Sequence, residues 1–148
     1  MAYHDDLLEQ AVLTNLDRRG RPKQVNLRRA VSSLYYGLFH LLISEAILYW
    51  RLERQRDTLS RIFEHAKIRG SCSRYDGSNA GLSVVALAFR ELQQYRNTAD
   101  YDNATSWTRL EVREHIKTAK DAFAAWSRVR NTIAAQDFLL TLFVPERK

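Results

Sequence analysis

The stretch LRRAVSSLYYGLFHLLISEAILYW, residues 27–50, decides how this chain folds. At 100° per residue, Leu27, Ala30, Val31, Leu34, Leu38, Leu41 and Leu42 collect on one face, the stripe a helix turns toward a core. Asn26 stands where an N-cap is wanted. Diametrically opposite lie Arg29, Ser33, Tyr36, His40 and Ser44. A water-facing helix side ordinarily carries Lys and Glu, and neither occurs over residues 30–44. Tyr35, Phe39 and Ile43 widen the apolar area beside this polar stripe, so the pattern reads as a face covered by a partner or forming a substrate groove.

Helical patterns continue on both sides. Residues 5–17 place Leu7, Leu8, Ala11, Val12 and Leu16 on one face. A basic turn follows, in which Arg18, Arg19, Arg21 and Lys23, joined by Arg28, are candidate contacts for a phosphate backbone. Asp57 or Thr58 caps a third helix to about residue 68, with Leu59, Ile62 and Phe63 inward, and residues 70–81 read as the longest and most mobile loop. The fourth helix, 82–96, carries a stripe of Val85, Phe89 and Leu92 that runs onto Arg96 at its end, before a turn at 99–103.

Thr108 with Glu111 matches the capping box that opens a last helix, whose inner face is Val112, Ile116, Ala119, Phe123, Trp126 and Ile133. Its basic stripe of Arg109, Arg113, Lys117 and Lys120 is interrupted by Glu114 and Asp121. The apolar tail, 137–148, must dock, either as more helix or as a strand against a second copy. With 148 residues, 45% hydrophobic and 27% charged, and only five Gly and two Pro, the expectation is a single all-α domain over 1–148, a four- or five-helix up-down bundle.

Composition also removes classes of function. The lone Cys72 has no partner for a bridge, and His4, His40, His65 and His115 fall on separate segments without ligand spacing, so neither metal nor cofactor is expected. The acidic start is no export signal, and no run reaches the ~18 apolar residues of a membrane span. The expected setting is the cytoplasm, with no membrane contact. Phosphate-loop, dinucleotide, zincin and hydrolase-elbow motifs are absent. The net charge of +6 favours a polyanion such as RNA or DNA, but no short second helix after a tight turn is present to read DNA bases.

Two segments together carry a resemblance: Arg29-Ala30-Val31-Ser32 with Tyr35-Tyr36 and Phe39-His40, and Arg96-Asn97 with Ala99-Asp100-Tyr101-Asp102. Over about residues 11–126 the chain resembles the HEPN domain, the higher-eukaryote and prokaryote nucleotide-binding bundle. The resemblance implies a bundle that pairs through its motif-bearing helices as a homodimer, holding RNA in the cleft. It further implies a metal-independent ribonuclease of toxin or defence type, commonly beside a small nucleotidyltransferase partner. Arg96 and Asn97 match the catalytic motif, but the positions where its His should stand hold Tyr101, Asp102 and Asn103. An unperturbed tyrosine, with a pKa near ~10, is a poor base at neutral pH. His40 is then the candidate imidazole, with Asn97 and Tyr101 positioning the ribose and Arg29, Ser33, Tyr36 and Asp100 supporting the cleft. Two alternatives stay open: Asp100 serves only to ion-pair Arg96 in a rigid joint, or the domain is a non-catalytic RNA-binding or interaction module for a partner subunit.

Overall fold

A computed structural model describes residues 2–16, 22–75 and 80–143, and among them every regular element is a helix. In chain order these are α1 (Tyr3–Leu16), α2 (Gln24–Ala46), α3 (Glu53–Ser60), α4 (His65–Tyr75), α5 (Ala80–Tyr101), α6 (Arg109–Val129) and α7 (Ile133–Thr141). The all-α expectation holds. None of these helices is long and apolar enough to cross a membrane.

The stripe of α2 is the centre of the core. Leu27, Val31, Leu34, Leu38 and Leu42 are at most 1% exposed, and burying one such side chain contributes about 1.5–3 kcal/mol. Around it pack α1, α5, α6 and α7. Tyr35, Phe39 and Ile43 are buried as well, so α2 is enclosed on more than its stripe. The helix starts three residues earlier than Asn26 implied, with Lys23 at the N-cap making no side-chain cap bond, and it stops at Ala46.

Three further boundaries differ from the sequence reading. The expected third helix is two: α3, then α4, which takes in Gly70 and the residues to Tyr75 that read as loop. Ile68 and Cys72, one turn apart, are buried and carry α4 through this polar stretch. Ile62 lies between α3 and α4 and is exposed, whereas Phe63 is buried as expected. The last helix breaks at 130–132, where Thr132 Oγ1 accepts from Ala135 N at 3.2 Å and opens α7. That restart shifts the helical phase, which leaves Ile133 81% exposed.

Thr108 caps α6 as read, its hydroxyl accepting from Glu111 N at 3.1 Å, while the Glu111 carboxylate accepts from that same hydroxyl at 3.0 Å. The described part of the apolar tail, to residue 143, docks on its own chain, as helix to Thr141: Phe138 is fully buried beside Trp126 and Tyr75, and Thr141 Oγ1 lies 2.9 Å from Ser71 Oγ.

Candidate functional site

The fourth expected helix runs five residues further than its apolar stripe suggested, because Ala99 is buried and keeps the inward face going for another turn. Arg96 therefore stands inside α5 and does not cap its end. From there its side chain crosses to α2, where Nη2 donates to Tyr36 Oη at 2.5 Å. Nη1 donates to Asn97 Oδ1 at 3.1 Å, and Nε faces Asp100 Oδ2 at 2.9 Å. The guanidinium carbon is 5.1 Å from the Tyr36 ring centre and 5.8 Å from those of Tyr35 and Tyr101, within cation–π range. Burial alone would lower the pKa of Arg96, but Tyr36 and then Asp100 outweigh it, and the cation is held more firmly than usual.

Asp100 also accepts from Ser32 Oγ, so two residues of α2 and three of α5 form one polar joint. Arg96 thus donates two hydrogen bonds within the chain and ion-pairs with Asp100 without a hydrogen bond from Nε, and its side chain is still 19% exposed. Arg96, Asn97, Tyr101, Tyr36 and Asp100 are gathered as the sequence pattern grouped them.

Behind this joint lies a second cluster that sequence reasoning missed. Tyr35, fully buried, has its hydroxyl 2.5 Å from Nδ1 of His65, the first residue of α4, and Gln93 Nε2 donates to the same hydroxyl at 3.5 Å. The His65 ring stacks on Phe39 at 4.0 Å and meets the Tyr36 ring edge-on at 6.0 Å. Burial pushes Tyr35 well above the usual phenol range, so it keeps its proton. Burial, then the charge of Arg96, lowers the pKa of His65. The only sequence signal for His65 was its residue type, because its partners belong to α2 and α5.

His40 sits one turn beyond Tyr36 and is covered by Tyr3 of α1, ring centres 4.8 Å apart. Its pKa is lowered by burial, then by His65 and His4. No hydrogen bond or ring contact among the described residues joins it to Arg96. The polar stripe of α2 is thus partly covered by the chain itself: His4 approaches Ser44 at 3.5 Å, Tyr3 covers His40 and Arg96 covers Tyr36.

The other end of the stripe stays open. Arg29, Ser33, Tyr36 and Asp100 line a groove of about 740 Å³. Arg28 also borders it but has a different task from the phosphate contact expected. Its Nη1 donates to Ala99 O and Asp102 O, both at 2.8 Å, and its Nη2 to Thr105 O. It caps the carbonyl end of α5, an ordinary use of a cation at that pole. Lys23 is exposed, and Arg18, Arg19 and Arg21 lie outside the described residues. No group of His, Cys, Asp and Glu suited to a metal occurs among the described residues.

No protein-family model matches this chain, and neither a curated protein nor a solved structure does. The site therefore rests on its own geometry: a part-exposed cation fixed by tyrosine, amide and carboxylate, beside an open groove with a further arginine on its wall. Such an arrangement suits an anionic, ring-bearing ligand.

Proposed function

We propose that this chain is a HEPN-like RNA-acting protein that works as a homodimer in the cytoplasm and cuts RNA without metal, as a toxin or defence component. The observation that carries the reading is Arg96 bonded at 2.5 Å to Tyr36 and paired with Asp100, two residues that line the groove. In that reading Arg96 binds the scissile phosphate and stabilises the charge that grows as the ribose 2′-hydroxyl attacks it. Asn97 and the exposed Tyr101 position the ribose, and Arg29 and Lys23 contact flanking phosphates. The bond from the 2′-oxygen to phosphorus forms as the bond from phosphorus to the 5′-oxygen breaks, and the 2′-hydroxyl proton passes through solvent water to the departing 5′-oxygen, leaving a cyclic phosphate and a free 5′-hydroxyl.

Expression in a bacterium of the wild type beside Arg96→Ala tests it. The expected result is slowed growth with fragmented RNA in the wild type and relief of both in the variant. Equal growth and intact RNA in both would remove the ribonuclease reading.

A second reading has its own support. Because Asn97, Asp100 and Tyr36 already engage Arg96, the constellation also fits a rigid joint in a non-catalytic module that binds RNA or a partner subunit such as a small nucleotidyltransferase. On that reading Arg96→Ala lowers the melting temperature, and wild-type RNA stays intact.

A further inference from the structure

We infer that His65 is a second phosphate ligand of this site, donating to the phosphate through its Nε2–H beside Arg96. The inference rests on the RNA-acting reading and deepens it, since the imidazole comes from the start of α4 and not from the segment after Arg96. His65 and Arg96 share two tyrosines: each lies against the Tyr36 ring, and Tyr35 bonds the first while lying under the second. His40 has neither contact among the described residues.

Hydrogen-bond accounting fixes which nitrogen of His65 carries the proton. The Tyr35 hydroxyl is buried and receives a donor from Gln93, so its own hydrogen needs an acceptor, and Nδ1 of His65 stands at 2.5 Å. Nδ1 therefore accepts, and the neutral ring is protonated at Nε2. One ring face is closed by Phe39, while the residue keeps part of its surface in solvent and no described residue bonds Nε2. The lowered pKa of His65 keeps this neutral donor form at pH 7. Arg96 then supplies charge and His65 a directional donor, which raises no proton-transfer question because His65 gives up no proton.

The test measures binding of a 2′-O-methylated oligouridine, which cannot undergo 2′-hydroxyl attack, to the full chain at pH 7. His65→Ala is expected to bind about tenfold more weakly. His65→Gln, whose amide places an N–H near the Nε2 position, is expected to stay within about threefold of wild type. Nitrogen-15 NMR of the wild type should show the Nε2–H tautomer. Wild-type affinity in His65→Ala with Arg96→Ala non-binding would overturn the inference and leave the RNA reading standing. Wild-type affinity in both would overturn the two together. If His65→Ala does not fold, the NMR measurement decides, and an Nδ1–H tautomer would overturn the inference.

Discussion

Glu45, near the end of α2, shows what one residue carries in this molecule. Its carboxylate, 13% exposed, accepts from Trp126 Nε1 at 2.9 Å and from Arg130 Nη2 at 2.9 Å, with Arg130 Nε at 2.7 Å. Glu45→Ala strands a buried indole N–H and a paired guanidinium, so a loss of about 2–3 kcal/mol is expected in urea unfolding, with a smaller loss for Glu45→Gln. The pattern around Arg96 could be read in the sequence because its partners Asn97, Asp100 and Tyr101 are local, and the stripe opposite contains Tyr36. Glu45 and His65 could not, since the partners of Glu45 lie 81 and 85 residues along the chain and those of His65 on other helices. Periodicity reports a face and says nothing of what crosses to it.

Among elements, α2 was legible because a long uncharged stripe leaves a helix little choice, and α6 because Thr108 and Glu111 mark its start. The break between α6 and α7 was hidden by apolar residues that keep a helical rhythm on either side of it. The crossing of α5 and α6 offers a direct check. A Cβ on Gly81 would overlap Val129 Cγ1. Valine is stiff at χ1 and cannot swing aside. Gly81→Ala is thus expected to destabilise by about 1–2 kcal/mol, outweighing the ~1 kcal/mol that alanine gains in helix propensity, and to lower the melting temperature by several degrees.

The whole molecule should respond to acid through its histidines. Burial comes first among the causes that lower the pKa of His40, His65 and His115, so the fold prefers all three neutral. Below about pH 6.5 the unfolded chain binds more protons than the folded one. Stability is then fully present above that pH and falls as the pH drops through the three folded values. The urea midpoint is expected to be lower at pH 5.5 than at pH 7.5, and a midpoint that does not change would contradict this account. All-helical architecture was legible at this scale. The meeting of α2, α4 and α5 at one spot was not, because it depends on packing between segments with no shared local pattern.

The short helix α3 contributes no buried residue, yet it spans the gap between the helix that bears Tyr36 and the one that starts with His65. It acts as a leash more than a wall. Doubling such a connection costs only about 0.6 kcal/mol in closure entropy, so insertions there should leave Tyr36 and His65 in place. Length variation among natural versions of this fold would then gather at this segment.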